Sequence, residues 1–356
     1  MKKYRIKDIA ELASASVGTV DRVLHNRGDV SPETRKKIED VLEKINYVKK
    51  VHSKTPNSER LIRLLVIMPQ YGNGEYWHQI KNGIEKAQAH YGIHNIKITY
   101  LYYNQFDIFS CRKCYKEAIA FKKDAVIIGP SFYDETFIFV NQLTLQKIPY
   151  VFVDANVNNT NPLAFYSPQN AQCGRAQARL ITSTMEKNKS IVLLLAKRIG
   201  DETSISSIER QQGFMSYIKE NSINTKIINA LYNRLDLSDN QDLLDEIFDN
   251  NDIGAAAVFN SRAYIISNYL RKKGIKDIKL VGFGANKNNI TDLKDGYISF
   301  LIEERPEYQG YSSVKSIIEY LRYDKIPTIT NYTPIDIIIK ETADYYIEAD
   351  STVAFR

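Results

Sequence analysis

Residues 6–45 carry three apolar periodicities, each about two or three helical turns long. They lie in the run IKDIAELASASVGTVDRVLHNRGDVSPETRKKIEDVLEKINYV. Ile6, Ile9, Ala10 and Ala13 mark a first helix; Val20, Val23 and Leu24 mark a second over Val17 to Leu24. Ile38, Val41, Leu42 and Ile45 mark a third, which opens at Ser31-Pro32. Ser16 is placed to cap the second helix, and a serine cap followed by proline is a start signal for the third. Three helices of this size can share one small core. The first two are separated by Ser14-Ala15-Ser16, the spacing of a helix-turn-helix.

The second helix carries the chemistry. Opposite its apolar face stand Ser16, Val17, Gly18, Thr19, Asp21 and Arg22. A helix can enter the DNA major groove with its N-terminal residues against base edges. There Arg22 can make a two-pronged contact to guanine, and Thr19 can donate or accept. Val17 offers methyls to thymine, and Gly18 allows close approach. Asn26 and Arg27 follow at the helix exit, where phosphate contact is easy. Ser31 and Thr34, with the free N–H groups of the third helix, can bind another phosphate. A carboxylate at Asp21 is unfavourable near phosphate, but it can accept from a cytosine amino group or pair with Arg22. A plain three-helix bundle with a solvated face fits the same pattern.

Charge favours the DNA-binding reading. Residues 1–60 hold 14 Lys plus Arg against 9 Asp plus Glu, a net of +5 in a chain whose total is +6. The basic excess therefore sits on the head, with a nearly neutral body behind it. At 356 residues the chain is long enough for two or three domains. With 44% apolar and 25% charged residues it reads as globular. No run approaches the length of a membrane span, and MKKYRIKD lacks the apolar core of an export signal, so a cytoplasmic location is expected.

These head residues resemble the lactose/galactose repressor (LacI) family. The resemblance rests on the opening helix Ile6-Lys7-Asp8-Ile9-Ala10 and the recognition helix Val17 to Leu24. It extends to the run Asn26, Val30, Ser31, Thr34 and Arg35, and to the closing pair Asn46-Tyr47. The family usually has serine where Asp21 stands, so a different operator sequence is implied. It also usually carries a hinge helix with an Ala-x-x-Leu-like signature after the head. Here KKVHSKTPNSER has no such signature; a leucine wedge in the minor groove is not expected, and a flexible tether fits as well.

From Leu61 strand and helix patterns alternate. LIRLLVIMP, NIKITYLYY, DAVIIGP and IPYVFVDA read as strands with helices between them. SIVLLLA, TKIINALY, AAAVF and IKLVGFG form a second such series. The pattern predicts parallel sheets flanked by helices, in two lobes with a cleft between. The tail, YISFLIE to ITNYTPIDIIIK, resembles the strand crossings of type I periplasmic-binding folds. Ile148-Pro149, GFGAN and RPEYQGY are matching landmarks. The expected architecture is thus an all-α helix-turn-helix head plus an α/β two-lobed periplasmic-binding-protein-like type I domain. The expected divisions are head 1–48, linker 49–60 and effector domain 61–356. Within the last, lobe 1 is 61–162 plus about 288–323, and lobe 2 is 163–287 plus about 324–356.

Ligands in such sheets sit beyond the carboxyl ends of the strands. Strand-end candidates are Tyr71 and Trp77, Asp107, Phe132, and Asp154 with Asn156; Gln70, Asn104, Ser131 and Tyr133 lie beside them. In the other lobe they are Arg210, Asn260, Arg262 and Asn286, with Arg198 nearby. Aromatics that stack on a ring, with Asp, Asn and Arg to bind hydroxyls, suit a sugar. The family often has an aspartate after the Gly-Phe pair; here that position is Gly284.

Other chemistry finds little support. Cys111 and Cys114 form one C-R-K-C pair, too few ligands for zinc, and the segment equally fits an amphipathic helix with semi-buried thiols. GFGANKN lacks the third glycine of a dinucleotide loop, and no Walker loop, HExxH or nucleophile elbow is present. No cofactor or metal is expected. Two functional classes remain. One is a homodimeric, sequence-specific DNA-binding transcriptional regulator whose operator affinity is set by a sugar-like effector. The other is a small-molecule-binding protein or enzyme with an accessory basic head.

Overall fold

In the computed structural model the described residues are 6–24, 30–44, 61–92, 95–201, 204–233 and 237–348. The chain divides into two compact units, Met1–Pro56 and Asn57–Arg356.

The first unit contains α1 (Ile6–Leu12), α2 (Val17–Leu24) and α3 (Pro32–Lys44). Their apolar stripes meet as expected: Ile9, Ala10, Ala13, Val20, Val23 and Ile38 are all buried and pack together. Ser14 turns the chain between α1 and α2 at φ +50°. Asn26, Arg27 and the linker 49–60 lie outside the described residues.

The second unit alternates strand and helix. Its first half runs β1 (Ile62–Pro69), α4 (Tyr76–Tyr91), β2 (Ile96–Tyr103), α5 (Ile108–Ala120), β3 (Ala125–Ile128), α6 (Tyr133–Leu145), β4 (Tyr150–Val153) and β5 (Ala164–Ser167). The second half begins with α7 (Asn170–Thr184), β6 (Ser190–Ala196), α8 (Ile205–Glu220), β7 (Ile227–Tyr232) and α9 (Leu237–Asp249). It continues with β8 (Ile253–Val258), α10 (Ala263–Lys273), β9 (Lys279–Phe283) and α11 (Lys287–Lys294). The tail is β10 (Phe300–Glu303), α12 (Pro306–Tyr323), β11 (Thr330–Tyr332), β12 (Asp336–Ile338) and α13 (Ala343–Glu348).

Two six-stranded sheets result, in the orders β11-β5-β4-β3-β1-β2 and β12-β10-β9-β8-β6-β7. Pairing is parallel except between β10 and β12. The inner strands β3, β4 and β8 are buried at every residue because helices cover both sheet faces; the edge strand β2 is only partly buried.

The lobes therefore exchange more chain than the expected boundaries allowed. β5 pairs with β4 and stays in the first sheet, although residues 163–167 were expected in the second lobe. β10 pairs with β9 in the second sheet and β11 pairs with β5 in the first, the reverse of the expected division. α11 likewise packs in the second lobe through Ile290 and Leu293, whereas α12 packs in the first through Val314, Ile317 and Ile318. Strand hydrogen bonding and core packing decide these memberships, and neither is marked by local sequence pattern.

Each lobe contains a helix crossing so close that glycine is needed on both sides. A Cβ on Gly83 of α4 would lie 1.9 Å from the Glu307 carbonyl oxygen, and one on Gly310 of α12 would lie 2.0 Å from that of Ile80. In the second lobe a Cβ on Gly174 of α7 would lie 1.8 Å from the Arg210 carbonyl, and one on Gly213 of α8 would lie 1.9 Å from that of Ala171.

Candidate functional site

The carboxyl ends of both sheets border one cleft of about 500 Å³, its mouth included. From the first sheet come Glu75, Tyr76 and Trp77 after β1, Gln105 after β2, Ser131 after β3 and Asp154 after β4. From the second come Ser204, Ser206, Ser207 and Arg210 after β6, Asn260 to Arg262 after β8, and Glu304 after β10.

Arg210 is the hub. It is 3% exposed, and its Nη2 donates to Glu304, itself 2% exposed. Nη2 also stands 3.8 Å from Asp154, Nε donates to Asn170 at 2.9 Å, and Nη1 donates to the Phe259 carbonyl at 3.1 Å. The guanidinium covers the Phe283 ring at 4.2 Å. Burial holds the Asp154 carboxyl above its usual range, opposed by Arg210 and by the nearby Tyr76 and Ser206 hydroxyls. Burial pushes Glu304 up to about 8; Arg210 opposes the shift and Asp154 adds to it. Two carboxylates thus face one guanidinium away from water, which favours keeping a proton in the cluster.

Backbone geometry supports the cluster. Asp154 adopts φ +76°, which turns the chain at the end of β4. Gln309 of α12 fixes that turn: its Oε1 accepts from Asp154 N at 2.9 Å and from the Tyr76 hydroxyl at 3.3 Å. Its Nε2 donates to the Glu304 carbonyl at 3.0 Å. Trp77 lies across the end of β3, where a Cβ on Gly129 would come within 2.3 Å of its ring.

Of the expected effector residues, Trp77, Asp154, Arg210, Asn260 and Arg262 are brought together on the cleft wall. Five others lie elsewhere. Tyr71 stacks on His78 and meets Tyr102 edge-on beyond the end of β1. Asp107 caps α5 by accepting from Phe109 N at 2.9 Å, leaving Gln105 to reach the cleft. Phe132 is buried in the first-lobe core, with Arg198 over its ring at 3.9 Å. Asn156 is half-buried after the Asp154 turn and does not line the cleft. Asn286 caps α11 and donates to the Ser261 carbonyl at 2.8 Å, so it positions a wall residue instead of forming the wall.

Glu75, Tyr76, Gln105, the Ser204–Ser207 run, Ser261 and Glu304 were not singled out from sequence. The serine run had a readable signal. Ser204 caps α8 by accepting from Ser207 N, so this helix begins at Ile205. Glu304 had none, because β10 was expected in the other lobe.

In the head, Ser16 Oγ accepts from Thr19 N at 3.0 Å and caps α2. Val17 is 49% exposed; Gly18 and Arg22 are also exposed, and Thr19 is partly so. Ser31 Oγ accepts from Thr34 N at 3.3 Å at the start of α3. Val17, Gly18 and Arg22 thus form a solvent-facing side of α2, with Val20 and Val23 held in the core. The three cysteines are buried and unlinked, and burial raises the Cys114 and Cys173 thiols to about 12. No helix among the described residues is long and apolar enough to cross a membrane.

Comparison with known proteins agrees with both units. Residues 5–50 match bacterial regulatory proteins of the lacI family, and residues 64–326 match the periplasmic binding protein domain. The ribose operon repressor of Halalkalibacterium halodurans is 25% identical over 352 residues, covering 95% of this chain and 96% of that one. The structure of a candidate LacI transcriptional regulator from Bacteroides fragilis is 30% identical with TM-score 0.76, covering 81% of this chain and all of that one. A solute-binding protein from Agrobacterium vitis, bound to α-D-tagatopyranose, shares the fold at 20% identity and TM-score 0.71, covering 83% of this chain and all of that one. With a DNA-reading head and a cleft for a small molecule in one chain, the protein belongs to the LacI family of bacterial transcriptional regulators under effector control.

Proposed function

We propose that the effector is a sugar or sugar derivative bound in the cleft. The observation that carries this reading is the cleft wall itself. Hydrogen-bonding side chains from both lobes, among them Asp154, Asn260 and Arg262, face one space beside Tyr76 and Trp77. Aromatic faces suit the apolar side of a sugar ring, and paired acids, amides and guanidinium groups suit its hydroxyls. The sugar in the Agrobacterium vitis protein and the ribose operon named for the Halalkalibacterium relative are consistent with it.

Val17, Gly18, Thr19 and Arg22 read base edges in this proposal. Ser16, Asn26, Arg27, Ser31 and Thr34 contact or organise phosphate. The head spans 1–48, a linker spans 49–60, and the effector domain follows. The chain works in the cytoplasm as a homodimer, since a two-fold operator calls for two heads. Exposed apolar residues on the first lobe, Phe109 and Ile119 on α5 with Ile138 and Leu145 on α6, offer a surface for the second copy. The effector shifts the population between DNA-competent and DNA-incompetent dimers, and the chain acts by binding and not by catalysis.

Operator selection from a random duplex library, followed by titration of sugars into the selected complex, tests this reading. A two-fold symmetric site whose affinity changes with one sugar supports it. Turnover of a sugar without DNA selection would favour an enzyme with an accessory head.

A further inference from the structure

Beside the main cleft lies a smaller chamber; it shares Gln105, Ser204, Ser207, Asn260 and Arg262 with the cleft and adds Phe106, Ala196 and Arg198. The Arg198 and Arg262 side chains are 2% and 5% exposed. A guanidinium that deeply buried ordinarily satisfies its donors. Here neither does.

Arg198 Nη2 donates to the Ser131 carbonyl at 3.1 Å, and the Asp201 carboxylate stands 3.7 Å from Nη1, beyond hydrogen-bond distance. Nε and Nη1 have no hydrogen-bond partner among the described residues. Arg262 reaches Glu75 at 3.5 Å through Nη2, and its Nε has no such partner. By contrast, Arg210 in the main cleft has acceptors on Nε, Nη1 and Nη2.

The start of α8 forms another part of the wall through Ser204 and Ser207, beside Gln105, Phe106, Ala196 and Asn260. First-turn amides lack intrahelical backbone acceptors and carry the positive end of the helix dipole, and here the Ser204 cap takes up only that of Ser207. Two under-bonded guanidinium groups and a sixteen-residue helix N-terminus therefore converge on one chamber. Such a convergence suits an oxyanion, because each remaining donor would gain a charge-assisted bond.

Resting on the sugar reading of the cleft, we propose that the effector is an anionic sugar, a sugar acid or a sugar phosphate, whose oxyanion sits between Arg198, Arg262 and the start of α8. Its ring lies in the adjoining cleft beside Trp77 and Asp154. Arg198 follows β6 of the second lobe yet bonds Ser131 of the first, so an anion on its free donors also strengthens a contact that joins the lobes.

Calorimetric titration of the full chain tests this with three matched series: glucose, glucuronate and glucose 6-phosphate; galactose, galacturonate and galactose 6-phosphate; ribose and ribose 5-phosphate. In at least one series an anionic member should bind about tenfold or more tighter than its parent sugar. Which member does so separates carboxylate from phosphate. Arg198→Gln should bring that ratio close to one, and Arg198→Lys should fall between, because an ammonium keeps the charge without the fork. If Arg198→Gln does not fold, the wild-type ratio and Arg262→Gln decide. Parent sugars that bind as tightly as their anionic partners would overturn the anion site and leave the sugar reading standing. No binding by any member, from a chain that still selects operator DNA, would overturn both.

Discussion

Arg210 donates a buried hydrogen bond to Glu304 across the floor of the cleft although 94 residues separate them in the chain. Their side chains are 3% and 2% exposed. Asp154 completes the group from the opposite lobe at 3.8 Å. The site is thereby tied to the crossover strand β10, which brings Glu304 beneath α8.

Arg210→Met is expected to destabilise the effector domain by about 3–5 kcal/mol, since it leaves two buried carboxyls without their cation. Urea unfolding of wild type and variant measures this. A loss below about 1 kcal/mol would mean that the carboxyls find other partners or neutralise without strain.

The same cluster makes stability depend on pH. The Glu304 pKa rises from 4.5 to about 8 on folding, chiefly through burial. The folded chain then holds a proton that the unfolded chain has released between those values. Stability from this group is complete below about pH 4.5 and is lost as pH rises through about 8, a tenfold difference in proton affinity being worth about 1.4 kcal/mol. The urea midpoint of the wild type should fall between pH 5 and 8.5, and that of Glu304→Gln should fall less. Parallel pH curves would rule out Glu304 as the source.

Gly174→Ala should lower stability by about 1–3 kcal/mol, even though alanine favours helix, because its methyl group would meet the Arg210 carbonyl. The 1.8 Å approach leaves no room unless α7 and α8 part. Effector affinity should fall as well, since parting the helices moves Arg210. An unchanged thermal midpoint would show that the crossing is looser than its geometry.

On the head, Arg22→Ala should relax preference at one base pair and cost about 1–3 kcal/mol of operator affinity. Sequencing of selected operators reads this directly; an identical selected sequence would remove Arg22 from base reading.

Gly18→Ala separates head stability from DNA contact. Among the described residues, its Cβ would find nothing closer than Ser16 Oγ at 3.8 Å, so α2 should gain about 0.5–1 kcal/mol. Hydrogen exchange of head amides measures that gain. Operator affinity should nevertheless fall if the helix lies tightly in the groove. Unchanged affinity would show that position 18 does not touch DNA.

Much of the architecture was legible because it depends on local period. The stripes Ile9–Ala13, Val20–Val23 and Ile38 predicted the head core, and the alternation after Leu61 predicted the order of strands and helices. Helix starts were less legible: α6 begins at Tyr133 and α8 at Ile205, each several residues before its apolar pattern becomes clear. At α8 this hid the serines that line the cleft. α11 was not anticipated, since eight residues with Asn286 as a cap leave little periodicity to read.

By itself the sequence determined the three-helix head, its basic excess, the exposed face of α2 and the α/β repeat behind it. Each of these follows from spacing along a few turns or one strand. The tertiary structure decided which sheet receives β5, β10 and β11. It also decided that Gln105 and not Asp107 reaches the cleft, and that Arg210 meets Glu304. Those outcomes depend on hydrogen bonding and burial between segments far apart in the chain, where the gain from closing the contact is shared by residues that carry no mark of one another.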